Sequence, residues 1–183
     1  MMKRLFSATL ALAMIFALGA ALAADVRMES IEYKGFGILK IEFSRDCEWH
    51  PGASFTLTDE SGAAIPVEPF GGDEEEAYLY APEITDGAVY SLLLTLEGTE
   101  QSASFTADSA LEYRINKSGE VNVREDKEKC DFCRERGHDE DYCPERVNPG
   151  DIPADPEGLA WYFDIDLCDR CGGFGHDDDR CRG

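Results

Sequence analysis

Positive charge is scarce in this sequence. Its 183 residues contain 17 Lys and Arg but 38 Asp and Glu, which gives a formal net charge of −21 at pH 7. Proteins that bind nucleic acid need clustered basic residues, because binding depends on neutralising phosphates and releasing their counterions. The composition therefore argues against nucleic acid as a partner. We interpret the acidity as a solvated surface that keeps the protein soluble.

Sequence patterns of catalysis are also lacking. The chain contains no G-x-S-x-G motif, no glycine-rich phosphate-binding loop and no nucleophile with an evident base nearby. The acidic runs within residues 71–76 and 177–179 do not match the alternating carboxylates and distal glutamate of a calcium loop. We therefore expect a non-catalytic protein.

An extended apolar run stands at the N-terminus. Lys3 and Arg4 precede a mostly apolar stretch over residues 5–20, and the small-residue stretch 21–23 follows it. This order is typical of a secretory signal peptide, and the run is shorter than the roughly 18 residues of a membrane span. We predict cleavage after Ala23, which leaves a secreted or extracytoplasmic product without stable membrane insertion. A retained anchor is the alternative.

Residues 24–108 are predicted to form a β-sandwich. Short runs of β-branched, aromatic and leucine residues alternate with Gly, Pro, Asp and Ser clusters about every ten residues, as in sandwich domains. In the second run, Leu39, Ile41 and Phe43 share the buried face, and the other face is expected to be mostly solvated. Pro66 and Pro69 place the fourth strand at an edge, because proline cannot donate to a ladder. The seven predicted strands are 27–33, 38–44, 54–58, 64–69, 77–81, 89–96 and 102–106.

The pattern I-x-x-G-x-x-Y at residues 84–90 resembles the tyrosine corner of fibronectin type III and other immunoglobulin-like domains. The resemblance implies an immunoglobulin-like sandwich in which the Tyr90 hydroxyl bonds back to the preceding turn. It also implies that Trp49, near the start of the third strand, is the core tryptophan. A shared architecture assigns no activity.

Two segments connect this domain to the rest of the chain. Residues 109–129 are predicted to form a hairpin, turning at 116–119, and a charged linker. Residues 147–167 are predicted to be an extended or turn-rich connector, because prolines recur from Pro144 to Pro156. The aromatic run 161–163 interrupts this connector. We expect it to dock within the chain rather than form an exposed partner site.

The spacing C-x2-C-x4-H-x4-C occurs twice, in modules predicted at 130–146 and 168–183. Only three histidines occur in the chain, and two of them hold the same offset from the cysteines, each preceded by glycine. Chance or a disulfide scaffold explains the cysteines more easily than this repeated histidine. Thiolate and imidazole are the ligands that Zn²⁺ prefers in a tetrahedral site. The candidate ligands are Cys130, Cys133, His138 and Cys143 in the first module, and Cys168, Cys171, His176 and Cys181 in the second.

Both modules resemble the zinc knuckle, the CCHC module of retroviral nucleocapsid and many cellular RNA-binding proteins. The resemblance implies two structural Zn²⁺ ions, because a closed four-ligand shell leaves no position for a catalytic water. It does not extend to RNA binding, since Asp131 and Asp169 replace the aromatic that follows the first cysteine of typical knuckles. The remaining aromatics Phe132, Tyr142 and Phe174 are each expected to cover their own metal site.

Two other interpretations of these cysteines stay open. A secreted protein can oxidise six thiols into a disulfide-stapled domain without metal. Alternatively, the C-x2-C pairs can act as redox dithiols of an envelope protein, although neither pair opens a helix after a strand. Cys47 and His50 show no second half of a metal site, so we expect Cys47 to be a buried apolar residue. The expected partner is a protein or a cell-envelope component, and the oligomeric state stays open.

Overall fold

The computed structural model describes residues 26–125, 129–176 and 178–181, so the predicted signal peptide and part of the predicted linker lie outside the described residues. Strands dominate the regular structure of these ranges. The helical elements are α1 (Pro156–Tyr162) and 3₁₀ turns at Glu140–Tyr142, Pro149–Asp151 and Asp178–Arg180. The strands are β1 (Met28–Gly35), β2 (Ile38–Phe43), β3 (Ser54–Asp59), β4 (Ala64–Ile65), β5 (Glu68–Gly71), β6 (Glu76–Tyr80), β7 (Val89–Leu96), β8 (Thr99–Thr106), β9 (Leu111–Ile115) and β10 (Val121–Glu125).

These strands form two antiparallel sheets. One has the order β10-β9-β1-β2-β6-β5 and the other β4-β3-β7-β8. The chain is therefore mainly β, as predicted. The arrangement of β1, β2, β6 and β5 in one sheet and β3, β7 and β8 in the other is compatible with an immunoglobulin-like domain. Within the described ranges, no helix has the length and apolar character needed to cross a membrane.

The predicted fourth strand is divided between the two sheets. Its first part is β4, at the edge of the smaller sheet, and its second part is β5, at the edge of the larger one. Pro66 lies in the interruption and Pro69 lies within β5. The prediction of an edge position is confirmed, but the single strand is wrong, because the chain crosses from one sheet to the other at the prolines.

The predicted hairpin after the seventh predicted strand is confirmed as β9 and β10. Its turn is closed by the Asn116 side chain, whose oxygen accepts hydrogen bonds from the backbone amides of Ser118 and Glu120 at 2.9 and 3.0 Å. β9 pairs with β1 in an antiparallel register that sets Ile31 opposite Tyr113. The hairpin therefore extends the sheet of the sandwich.

The main core lies between the two sheets. Along β7, burial alternates strictly, with Tyr90, Leu92, Leu94 and Leu96 pointing inward. Trp49 is fully buried, in the loop before β3, and its indole nitrogen donates to the backbone carbonyls of Asp73 and Glu76 at 2.6 and 3.1 Å. Leu39, Ile41 and Phe43 also face this core, as predicted.

The tyrosine corner is present. The hydroxyl of Tyr90 accepts a hydrogen bond from the backbone amide of Thr85 at 2.9 Å, and Tyr90 is 4% exposed. This contact is the one implied by the resemblance to immunoglobulin-like domains. It fastens the turn before β7 to the strand itself.

We expect the substitution Tyr90→Phe to lower the free energy of unfolding by about 1 kcal/mol, because it removes the hydrogen bond between the Thr85 amide and the Tyr90 hydroxyl. Urea denaturation followed by far-UV circular dichroism measures this change. Tyr162→Phe is the matched control, since the Tyr162 hydroxyl makes no hydrogen bond among the described residues. Equal stabilities for the two variants contradict the anchoring role of Tyr90.

The C-terminal half of the chain covers part of the outer face of the larger sheet. Ile38 in β2 and Phe70 in β5 are 0% and 1% exposed, and they belong to a second apolar cluster formed with the C-terminal half of the chain. The expectation that this face is mostly solvated is therefore wrong where the tail packs, whereas the side chains of Glu42 and Arg114 on the same face are 38% and 51% exposed. The tail residues buried in this cluster are Tyr142, Val147, Leu159, Ala160 and Phe163.

The predicted connector contains a helix. Asp155 caps α1 by accepting from the backbone amide of Gly158 at 2.8 Å, and Pro156 occupies the first turn, where its missing N–H is not needed. The prediction of an extended or turn-rich segment is wrong over Pro156–Tyr162, because Pro156 starts the helix instead of breaking it. α1 and the segment after it pack on β5, since a Cβ added at Gly71 would lie 3.8 Å from Ala160 of the helix and 2.5 Å from Ile165.

The aromatic run 161–163 divides between interior and solvent. Phe163 is 2% exposed and stacks on Tyr142 with ring centroids 5.1 Å apart and planes 8° from parallel. Tyr162 is partly buried against the same cluster. Trp161 is 86% exposed. Docking within the chain is thus confirmed for Phe163 and Tyr162 and is wrong for Trp161.

Candidate metal centres

The structure brings each predicted set of three thiols and one imidazole together. Within each set, one ligand atom from every residue lies within 4.8 Å of the others. The Sγ of Cys133 is 3.2 Å from Nε2 of His138, and the Sγ of Cys171 is 3.4 Å from Nε2 of His176. A tetrahedral Zn²⁺ ion with ordinary bond lengths separates its sulfur and nitrogen ligands by about 3.6 Å. Both groups are therefore able to hold a metal ion.

The same tight turn presents the first two cysteines of each centre. The carbonyl of Cys130 accepts from the backbone amide of Arg134 at 2.9 Å, and the carbonyl of Cys168 accepts from Gly172 at 2.7 Å. Arg134 and Gly172 occupy equivalent positions and both have positive φ, at 67° and 70°. The repeated spacing therefore corresponds to a repeated backbone conformation. This similarity supports the same role for both windows, independently of the sequence pattern.

Backbone amides also point at the sulfurs. The amide of Cys133 donates to Sγ of Cys130 at 3.5 Å, and the amide of Gly173 donates to Sγ of Cys171 at 3.4 Å. Hydrogen bonds of this kind stabilise negative charge on sulfur, and a metal-bound cysteine carries that charge. They orient the ligands before any ion binds.

The glycine before each histidine has two roles. Gly137 and Gly175 have φ of 89° and 78°, in the left-handed region that favours glycine. Each also touches the sandwich, since an added Cβ would lie 2.8 Å from Ala110 at Gly137 and 2.5 Å from the His50 Cβ at Gly175. The sequence placed a glycine before each histidine, but it did not predict the close approach to the sandwich.

The two centres differ in exposure. In the first, Cys130 and Cys143 are 1% and 0% exposed, and His138 is 9% exposed. In the second, Cys168 is 5% exposed, whereas Cys171 is exposed. A cleft of about 340 Å³ opens beside the second centre and is lined by Cys168 and His176. The first centre is therefore better shielded from water and competing ligands.

Burial and crowding shift the ionisation of the thiols. Burial together with the neighbouring Cys130 and Cys143 thiols raises the pKa of Cys133 to about 11. Burial, with Asp178 and Cys171 nearby, raises the pKa of Cys168 to about 11. At Cys130, burial is outweighed by the backbone amides of Cys133 and Phe132, which lower its pKa. In each centre, a cation would supply the charge that the clustered sulfurs need to ionise together.

Aromatic side chains anchor both modules to the sandwich. Phe174 lies against Trp49 and His50, with ring centroids 5.6 and 4.3 Å apart, and Tyr142 stacks on Phe163. The expectation that these aromatics cover their own metal sites stays a prediction. Phe132 is 56% exposed. The tail modules therefore use their aromatics to attach to the rest of the protein.

Polar contacts complete the attachment. The backbone amide of Gly175 donates to the Gly72 carbonyl at 2.8 Å, and Arg180 forms a 2.7 Å ion pair with Glu74, whose side chain is 6% exposed. In the first module, Asp139 accepts from the Lys34 ammonium at 3.2 Å. Sequence reasoning missed Glu74 and Lys34, because nothing in the local pattern links them to residues more than a hundred positions away.

The segment around Cys47 contributes no ligand atom to either centre. Cys47 is partly buried against the main core, and burial raises the pKa of its thiol to about 11. This agrees with the expected role as a small apolar residue. The sequence offered no second half of a metal site for His50. In the structure, the His50 ring packs beside the second centre, against Phe174. None of the seven cysteines forms a disulfide.

Comparisons with known proteins add no relationship: no protein-family model matches the chain, and no curated protein matches it. The assignments of the fold and of the two Cys3His groups therefore depend on the geometry of this protein.

Proposed function

We propose that this chain is a secreted, non-catalytic zinc-binding protein that acts as an interaction module. Two structural Zn²⁺ ions hold its C-terminal modules on a β-sandwich, and the partner is a protein or a cell-envelope component. One observation carries the proposal: in each module, an imidazole nitrogen stands at the fourth corner beside three sulfurs, with all four atoms within 4.8 Å. Disulfide pairing of the cysteines does not explain why an imidazole lies beside the three sulfurs in both modules.

The donor set favours zinc over other common ions. Calcium and magnesium prefer oxygen ligands, whereas thiolate and imidazole suit Zn²⁺ in tetrahedral geometry. Four protein ligands leave no open position for water or substrate, which supports a structural role. Such short modules bury little apolar surface of their own, so the free energy of metal binding stabilises their fold.

Charge supports a protein partner rather than RNA. Asp131 and Asp169 stand where typical zinc knuckles carry an aromatic, and both are exposed. Acidic residues 139–141 and 177–179 follow the two histidines. These carboxylates repel phosphates, so the modules keep the metal ligands of a knuckle without its surface for nucleic acid.

We expect His138→Ala and His176→Ala each to lower the zinc content by about one ion per chain, because each substitution removes one of four ligands. Native mass spectrometry of protein purified without chelator measures the stoichiometry, with two ions expected for the unmodified chain. Cys47→Ser is the control and is expected to keep both ions, since Cys47 lies outside both ligand sets.

Metal-free protein with disulfides between these cysteines contradicts the proposal and favours the disulfide-stapled alternative. Histidine variants that retain both ions contradict the assigned ligands while leaving metal binding itself intact. The two failures are distinguishable, because the mass of the denatured chain reports disulfides separately from bound metal.

A further inference from the structure

Trp161 is the most exposed large apolar side chain in the described part of the protein. It is 86% exposed, although its helix α1 buries Leu159 and Ala160 almost completely. Its side chain lies at a surface cleft of about 750 Å³. The packing of the chain leaves this aromatic ring without an intramolecular role, and exposed aromatic residues beside clefts are frequent in protein interaction sites.

The cleft beside Trp161 is acidic. Its lining contains no Lys, Arg or His. Among the described residues, the carboxylates of Glu157, Asp164 and Asp166 form no ion pair. Their charge is therefore not compensated from within the chain. The acidic residues that line the cleft are Asp155, Glu157, Asp164, Asp166 and Asp169.

The segment that carries Trp161 is held by packing and hydrogen bonds. Phe163 stacks on Tyr142, and the backbone amide of Ile165 donates to the Ala160 carbonyl at 2.9 Å. Ile165 in turn packs so closely on Gly71 that no Cβ fits there. A surface that is already ordered loses little conformational entropy when a partner binds.

We propose that Trp161 and the surrounding acidic cleft form the docking site for a basic segment of a partner protein. A Lys or Arg side chain placed over the indole ring gains cation–π attraction, and its charge is complemented by the carboxylates along the cleft. This inference rests on the proposed interaction role and names the surface and the partner chemistry that the role requires.

Charge also decides between the alternative occupants of this surface. A second copy of the chain carries the same net charge of −21 and would bring the same carboxylates into contact. An anionic lipid surface is repelled for the same reason. A cationic, partly apolar polypeptide complements both the ring and the carboxylates.

The test uses the zinc-loaded chain and a fluorescein-labelled peptide of alternating arginine and leucine, read by fluorescence anisotropy. A peptide of alternating glutamate and leucine is the charge control. We expect Trp161→Ala, which changes no charge, to weaken binding of the arginine peptide by about fivefold or more. Val123→Ala truncates another exposed apolar residue, 55% exposed on β10, and is expected to leave binding unchanged.

A paired charge experiment tests the cleft. We expect the double variant Asp164→Asn with Asp166→Asn to weaken binding and to reduce its dependence on salt. Glu60→Gln with Glu83→Gln removes the same charge from exposed positions elsewhere and is expected to have a smaller effect. Asparagine is suitable at position 164, because Asp164 has φ of 53° and asparagine tolerates this conformation.

Three results overturn the proposal. The first is that Trp161→Ala binds the arginine peptide as tightly as Val123→Ala does. The second is that the two double variants weaken binding equally. The third is that the protein self-associates through Trp161 in sedimentation velocity. Native mass spectrometry on the same samples separates these results from failure of the zinc proposal. If the chain retains two ions but fails the peptide test, only the docking proposal is contradicted.

Discussion

Removal of metal from both centres under reducing conditions should detach the C-terminal modules and leave the β-sandwich folded. In zinc-finger peptides, binding of structural zinc provides on the order of 10 kcal/mol of folding free energy. The first module places Tyr142 on the outer sheet face, and the second places Phe174 on Trp49. Because these anchors lie between the proposed metal ligands in each loop, loss of the ion should release them together.

Limited trypsin digestion measures this release. Several exposed arginines lie in the modules and should become cleavable when metal is stripped, including Arg134, Arg146 and Arg170. We expect cleavage at these sites to accelerate by about a hundredfold or more, since a loss of about 3 kcal/mol of local opening free energy already gives that factor. Strands β1–β9 should remain resistant.

Tryptophan fluorescence provides an independent measurement. The chain contains two tryptophans, so a Trp161→Phe background leaves Trp49 as the only reporter. Chelation should red-shift Trp49 emission as Phe174 leaves, and the second centre should empty before the first, because Cys171 is exposed while Cys130 and Cys143 are buried. Unchanged proteolysis and fluorescence after verified metal loss would show that the modules hold themselves in place without an ion.

Substitution of Trp49 by alanine should destabilise the sandwich by about 3–5 kcal/mol, because it removes a fully buried aromatic side chain from the core. It also leaves the carbonyls of Asp73 and Glu76 without the indole donor. Phe174 loses the ring on which it rests, so the second module should also be held less firmly. Urea denaturation of the zinc-loaded protein measures the first effect, and chelator-induced zinc release measures the second.

Trp161→Ala is the matched control for this prediction. It deletes the same side chain at a position that is 86% exposed, and it should change the free energy of unfolding by less than about 0.5 kcal/mol. A similar loss of stability in both variants would contradict the assignment of Trp49 to the core. Normal zinc retention in Trp49→Ala would instead show that Phe174 does not contribute to holding the second centre.

The strands of the sandwich could be predicted because the patterns that indicate them involve residues close together in the sequence. The alternation of Leu39, Ile41 and Phe43, the turn residues at 116–119 and the tyrosine corner at Tyr90 are short-range patterns, and all three reappear in the structure. The prolines showed correctly that the fourth strand lies at an edge. They did not show that the chain changes sheets there, because both outcomes satisfy a residue that cannot donate to a ladder.

The C-terminal half was less predictable for a different reason. Prolines suggested an extended connector, yet Asp155 and Pro156 begin a helix whose apolar residues find a surface on β5. Helix α1 has only seven residues, too few to be stable without tertiary packing. Whether such a segment becomes helical depends on the surface available to it, and that surface comes from strands far away in sequence.

The grouping of three sulfurs with one imidazole follows from residues within a fourteen-residue window, and this window occurs twice in the chain. Local spacing indicates such a site, because a tight turn and a glycine within each window bring the four ligands close together. Tertiary structure alone decided where the modules rest, which centre is shielded, and that Phe163 is buried while Trp161 meets solvent. Those outcomes depend on which faces of the two sheets remain uncovered, and contacts across a hundred residues leave no periodic trace in the sequence.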